Sequence, residues 1–298
     1  MKLEFDLKLK KLCKLIDQAL EVYVPEETGL IANLTESMRY SLLAGGKRLR
    51  PILVLEFCGI CKGEPEKALP FACALEMVHT YSLIHDDLPC MDDDDLRRGR
   101  ASNHKVYGED IALLSGDALL TKAFEVMLAP DSVALAGASR AAEAAGILAR
   151  AAGDHGMVGG QVIDLESEGH EIDLNTLQIM DANKTGALIR AAAEMGCVLA
   201  GASEEMRKAA DNYAKSIGLA FQIQDDILDV EGDTKSLGKP VGSDAENEKS
   251  TYISILGISK AQQRVKDLTK EAVSALEPFG ERAEFLKALA ENLSERKH

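Results

Sequence analysis

Residues 71–84 read FACALEMVHTYSLI. Apolar groups recur there at intervals of three and four, the spacing that gathers them on one side of an α-helix. The pattern returns over 111–128, 133–152, 174–200 and 204–230. Alanine is abundant, as in AAEAAGILARAA at 141–152. It is the strongest helix former, and its small side chain lets helices approach closely. Strand signals are nearly absent, with few β-branched runs and no Asn-Gly hairpin turns. Several of the eight prolines, among them Pro25, Pro51 and Pro130, fall at helix boundaries. The chain therefore reads as all-α, with roughly ten or more helices. No Ser/Gly-rich linker and no change of composition interrupts it, so residues 1–298 are expected to form a single domain. Gly45-Gly46, Gly159-Gly160, Gly238 and Gly242 mark loops or close backbone approach. The longest polar, glycine-containing stretch, GDTKSLGKPVGSDAENEKS at 232–250, is the candidate lid.

Composition narrows the function. Hydrophobic residues make up 46% of the chain, enough for a full core. The formal net charge of −15 argues against broad binding to nucleic acid or anionic lipid. The N-terminal MKLEFDLKLKKLCKLIDQAL is an amphipathic, charged helix pattern and not a secretory signal. No uncharged apolar stretch reaches the length of a membrane span. Among six cysteines only Cys58 and Cys61 form a CxxC, read as packed thiols at helical spacing. A cytoplasmic location is expected.

Helix 71–84 runs directly into IHDDLPCMDDDDLRRGR at 84–100, where six aspartates crowd into ten positions. A second cluster, Asp225-Asp226-Ile-Leu-Asp229, lies in an apolar helical run after FQIQ. There Asp225 and Asp229, at i and i+4, share one helix face with Cβ atoms about 5–6 Å apart. Two carboxylates that close destabilise a helix unless a cation sits between them. Hard oxygen donors with no His or Cys alongside favour Mg²⁺ over zinc. The first cluster is less simple, because Asp86 and Asp92 do not face the same way on a straight helix. Pro89 can bend or end the helix and return Asp92 to Asp86; on an unbent helix Asp93 would fit better. A solvated acidic face or a helix cap is the plainer account of each cluster, but unpaired charge in an apolar helix is costly. Neither cluster has EF-hand spacing.

Mg²⁺ is commonly held by a few carboxylates together with substrate phosphates. Cations for phosphate are present. Gly45-Gly46-Lys47-Arg48-Leu49-Arg50-Pro51 places three in a short turn, and Arg97-Arg98-Gly99-Arg100 follows the first acidic cluster. Lys184-Thr185-Gly186, Lys239 and Lys249 add more. Arginine suits bidentate phosphate contacts, and lysine acts as a point charge. No GxxxxGK[ST] loop exists, so a nucleotide is not the obvious phosphate carrier.

GGKRLRP, EMVHTYSLIHDDLPCMDDDDLRRG, NKTGALI and GLAFQIQDDILD, in this order and spacing over at least 39–252, resemble the trans-isoprenyl diphosphate synthases, most of all bacterial farnesyl diphosphate synthases. The resemblance implies an isoprenoid-synthase-type helical bundle around a deep central cavity, usually a homodimer. It implies two acidic motifs facing each other, with three Mg²⁺ per site bridging them to an allylic diphosphate, dimethylallyl or geranyl. By resemblance Asp86 and Asp92 lead the first motif and Asp225 the second, supported by Asp229; Asp87 and Asp226 are secondary. Lys184, Lys239, Lys249 and Arg97 match residues that grip the allylic diphosphate. Gly46, Lys47, Arg50, His79 and Arg98 match the isopentenyl diphosphate site. Thr185 and Gln222 match groups along the cation's path. The implied reaction is Mg-dependent condensation of isopentenyl diphosphate with dimethylallyl or geranyl diphosphate to farnesyl diphosphate. Tyr81, with Ser82 next, stands where a bulky ring would stop chain growth at C15. Alternatives are a geranylgeranyl diphosphate synthase, a terpene cyclase, which normally lacks the basic site at Lys47 and Arg50, and a non-catalytic partner subunit, which should lack one acidic cluster.

Overall fold

The computed structural model describes residues 2–231 and 250–295. The expected lid, with Lys239, Lys249, Gly238 and Gly242, lies outside the described residues except for Ser250. The described chain is helical throughout, apart from one hairpin of two-residue strands. It divides into two compact units, one up to Gly146 together with Val198–Ala200, the other comprising Ile147–Cys197 and the chain from Gly201 onward.

In the first unit α1 (Lys2–Tyr23), α2 (Ala32–Leu42) and α3 (Leu49–Ile60) precede α4 (Pro65–Asp86). The hairpin β1 (Leu96–Arg97) and β2 (Arg100–Ala101) follows, then α5 (Asn103–Tyr107), α6 (Glu109–Leu128), α7 (Pro130–Ala136) and the start of α8 (Ala138–Ala152). Proline at its first helical position opens α4, where a missing N–H costs nothing. The helix is buried along most of its length, from Ala68 through Phe71, Leu75 and Val78 to Ile84, and packs against α3 and α6. It ends at Asp86. Proline disfavours helical geometry in the residue before it, so Pro89 stops α4 ahead of Leu88. Cys58 and Cys61 are buried free thiols, and burial pushes Cys58 up to about 11.

In the second unit α9 (Met157–Ser167) packs on α10 (Leu174–Lys184), and α11 (Gly186–Ala200) leads to α12 (Glu204–Glu231). Then come α13 (Tyr252–Leu256), α14 (Ile258–Ala275), a 3₁₀ segment Glu277–Ala283 and α15 (Glu284–Glu295). The apolar stripe of α12 meets α14 in a core that includes Ile223, Ile227, Tyr252, Val265 and Leu268. The run expected over 133–152 breaks at Gly137, whose φ of 85° is left-handed. The run over 174–200 breaks at Thr185, between α10 and α11. Gly159 and Gly160 lie inside α9, and of the two readings they mark close backbone approach rather than a loop, Gly160 to Lys184 and Gly159 to Asp154.

Candidate active site

The end of α4 settles how the first acidic cluster is arranged. The Asp92 N–H donates to the Asp86 carbonyl at 2.9 Å, so the chain turns back within residues 87–92 and returns Asp92 to Asp86. Asp93 takes a left-handed φ of 50°, and its carboxylate lies 3.7 Å from Lys105 Nζ. Asp87 is buried and accepts the Arg97 Nε proton at 2.8 Å, while Arg97 Nη2 also donates to Asp94 at 2.8 Å. Burial raises Asp87 to about 6, Arg97 opposing the shift. Arg97 is thus braced between two aspartates.

The hairpin that carries Arg97 escaped the sequence reading. Arg98 and Gly99 both have positive φ, 55° and 73°, the geometry of a type I′ turn. Leu96 pairs with Ala101 and Arg97 with Arg100. An Arg-Gly turn replaces the usual Asn-Gly, which is why composition alone did not flag it.

The basic turn of the first unit splits its cations. Arg48 is buried, with Nη1 donating to Glu76 at 2.7 Å and Nε to Asp17 at 2.8 Å. The three cations of this turn were expected to serve phosphate together; Arg48 instead faces inward. Lys47 is exposed and lines an open groove with Gly46, Lys10 and Lys14. Arg50 Nη1 lies 3.1 Å from His79 Nε2. Arginine has no acceptor, so His79 Nε2 accepts and its proton resides on Nδ1. Burial, with Arg50 and Arg98 nearby, holds His79 well below its ordinary range, so the imidazole is neutral. Burial draws Arg50 down to about 10, which leaves it cationic at neutral pH, and its buried Nε has no hydrogen-bond partner. Arg98 Nη1 donates to the Gly45 carbonyl. Its guanidinium lies so close to Gly46 that a Cβ there would be 2.9 Å from Cζ.

Tyr81 is buried in the same unit and meets the His85 ring edge-on, with centroids 5.7 Å apart. His85 Nε2 lies 3.0 Å from the Leu113 carbonyl. Ser82 Oγ donates to the His79 carbonyl at 2.9 Å.

In the second unit, Asp225 and Asp229 lie one turn apart on α12, Asp229 fully buried. Asp226 accepts the Tyr252 N–H at 2.8 Å, capping the start of α13. Lys184 Nζ donates to the buried Asp164 at 2.6 Å. Thr185 Oγ1 donates to Gln222 Oε1 at 3.2 Å, uniting the end of α10 with α12. Burial pushes Asp181, beside Tyr252, up to about 7. Sequence reasoning missed Asp164 and Glu76. For Asp164 the signal was available, since it stands four residues after Gly160 on the same helix face.

Each unit carries residues of the type that suits a hard divalent cation. In the first, Asp86 and Asp92 are joined by their backbones, and the His85 ring is engaged with a backbone carbonyl; in the second, Asp225 and Asp229 lie one turn apart on α12. No three His, Cys, Asp or Glu side chains form a ready cage among the described residues. Such a cation would complete its shell with other oxygens, as Mg²⁺ does with phosphates. No helix among the described residues is long and apolar enough to cross a membrane.

The polyprenyl synthetase family profile matches residues 31–291. A farnesyl diphosphate synthase from Geobacillus stearothermophilus is 45% identical over 84% of this chain and 84% of its own length. A heterodimeric geranylgeranyl pyrophosphate synthase large subunit from Arabidopsis thaliana is 46% identical over 89% of this chain and 72% of its own. The crystal structure of an FPP/GFPP synthase from Zymomonas mobilis superposes with a TM-score of 0.88 at 36% identity, covering 99% of this chain and all of the other. The chain belongs to the polyprenyl synthetase family and is a trans-prenyltransferase with the family's all-α fold.

Proposed function

We propose that the chain is a Mg²⁺-dependent farnesyl diphosphate synthase that adds isopentenyl diphosphate to dimethylallyl and then geranyl diphosphate. The observation that carries the C15 product is Tyr81, a buried ring on α4 five residues before Asp86, set edge-on against His85. A ring fixed in that position limits the room for a growing chain.

Asp86, Asp92, Asp225 and Asp229 would hold the cations. Bound Mg²⁺ supplies neutralisation of the allylic diphosphate as its C–O bond breaks. Lys184, kept in place by Asp164, and Arg97, kept in place by Asp87 and Asp94, add positive charge at the same group. Lys239 and Lys249 join them on the strength of the sequence. Gly46, Lys47, Arg50 and Arg98 hold the isopentenyl diphosphate, with neutral His79 orienting Arg50. Thr185 donates its proton to Gln222, which leaves its oxygen lone pairs to face a passing carbocation. The isopentenyl double bond attacks that cation, and the released diphosphate takes the proton. Ser82 steadies α4 beside Tyr81.

Geranylgeranyl synthesis is the second reading, favoured by the names of relatives such as the Arabidopsis large subunit. A single assay separates the two. The protein is incubated with Mg²⁺, labelled isopentenyl diphosphate and each allylic primer, and products are sized by chromatography. C15 as the end product supports the first reading, C20 the second. A matched run with EDTA should be silent. A homodimer in the cytoplasm is the expected state, and sedimentation equilibrium measures the assembly.

A further inference from the structure

The functional reading leaves the buried carboxylate of Glu76 without a task. Glu76 lies on α4, three residues before His79, and is 1% exposed. Its Oε1 accepts Arg48 Nη1 at 2.7 Å, and Arg98 Nη2 lies 3.9 Å from the same oxygen. Each of these arginines also grips the turn before α3. Arg48 Nη2 donates to the Leu42 carbonyl at 2.8 Å, and Arg98 Nη1 donates to the Gly45 carbonyl. Two guanidiniums from distant parts of the sequence thus bind the two ends of one short segment and meet at one oxygen. Arg48 adopts a left-handed φ of 47° to reach this position, a conformation that neighbouring bonds must stabilise.

The charge balance makes Glu76 decisive. Arg48, Arg50 and Arg98 converge here, and all three feel Glu76. The other carboxylate bonded to Arg48 is Asp17, whose side chain is 43% exposed and therefore screened by water. Without Glu76, three guanidiniums repel one another with weak compensation. With it, the site keeps a positive surplus suited to a diphosphate, while Arg48 is held inward.

We propose that Glu76 is a positioning residue for the isopentenyl diphosphate site. Its one negative charge draws Arg48 away from the phosphates and sets where Arg98 stands beside Arg50, so that Lys47, Arg50 and Arg98 are arranged before substrate arrives. This rests on the assignment of those three residues to isopentenyl diphosphate.

The test is steady-state kinetics with each substrate varied in turn, on the full chain. Glu76→Gln keeps the shape and removes the charge. It is expected to raise the KM for isopentenyl diphosphate about tenfold, the size of one charge-assisted hydrogen bond, and to leave the KM for geranyl diphosphate within about twofold, less than the smallest of the hydrogen-bond effects. An unchanged isopentenyl KM, or an equal rise in both constants, overturns the proposal. Should Glu76→Gln not fold, Glu76→Asp carries the test, since it keeps the charge but withdraws it by one methylene. It must raise the isopentenyl KM selectively, and an equal or absent rise again overturns the idea. Arg50→Gln tells this inference apart from its premise. If Arg50→Gln raises the isopentenyl KM and the Glu76 variants do not, the positioning role fails alone. If Arg50→Gln has no effect, the site assignment fails and the inference with it.

Discussion

Lys184 and Asp164 form a 2.6 Å ion pair that depends on a glycine one turn away. Gly160 and Asp164 occupy the same face of α9. A Cβ on Gly160 would fall 2.1 Å from the Lys184 backbone nitrogen and 2.6 Å from its Cα. The missing side chain lets the end of α10 approach, and Asp164 then captures the ammonium. Losing one partner of a largely buried pair strands the other charge, a cost of about 3–5 kcal/mol in the strongest cases. Asp164→Asn is therefore expected to raise the KM for the allylic diphosphate by about tenfold or more and to leave the isopentenyl KM near its original value. Gly160→Ala should lower the thermal midpoint through overpacking of about 1–3 kcal/mol. Kinetics with each substrate varied, together with thermal melts, checks both.

Asp181 makes the second unit sensitive to pH. It is buried beside Tyr252, with Asp164 and Lys184 as its charged neighbours, and burial raises it to about 7. In the unfolded chain an aspartate titrates near 4. A carboxyl whose folded value is raised binds its proton more tightly when folded. Its stabilising contribution is complete below about pH 4 and is lost as pH climbs through about 7, on the order of 4 kcal/mol in all. Asp181→Asn cannot ionise, so the difference in stability between variant and parent should grow in the variant's favour from pH 4 to 8. Urea unfolding across that range measures it. A difference independent of pH would mean that Asp181 titrates normally.

Asp87 and Asp226 each bond to a partner within the protein, and this was legible only in part. The helical period placed Asp225 and Asp229 on one face without any structure. Pro89 gave reason to expect the return of Asp92 to Asp86, and the backbone bond between them follows that expectation. What spacing could not assign was the partner of each neighbouring aspartate. Asp87 goes to Arg97 through a hairpin whose left-handed Arg98 no propensity rule selects. Asp226 goes to the first N–H of α13, twenty-six residues on. The same limit hid Glu76, since ion pairs between distant segments leave no periodic trace. It also hid the inward turn of Arg48, which the sequence lists beside Arg50 as an equal cation.

If Asp225 binds the cation and Asp226 caps α13, the two should differ kinetically. Asp225→Ala is expected to reduce kcat by about a hundredfold, the scale of removing one electrostatic contact to a transition state. Asp226→Ala instead removes a buried cap and should cost about 1–3 kcal/mol of stability while retaining much more of the turnover. Asp86→Asn and Asp87→Asn should differ in the same sense, with Asp87→Asn also freeing Arg97. Thermal midpoints and kcat measured on all four variants would expose a failure. Equal kinetic losses at Asp225 and Asp226 would show that both bind the metal.

Chain length should respond to a residue that no substrate need touch. Tyr81→Ala removes the ring and is expected to shift product from C15 towards C20. Gly116, on α6, supports that ring at second hand. A Cβ there would lie 2.0 Å from His85 Nε2 and 2.4 Å from Cδ2, so alanine must displace the imidazole. His85 would lose its bond to the Leu113 carbonyl and its edge-on contact with Tyr81. An aromatic contact of that kind contributes about 0.5–1.5 kcal/mol, which is enough to change the rotamer populations of a ring by several-fold. Gly116→Ala should therefore lengthen a fraction of the product while the protein remains folded, and chromatography of the released alcohols measures that fraction. If Tyr81→Ala lengthens the product and Gly116→Ala does not, the ring holds its place without His85. If neither does, the chain is stopped by a different wall.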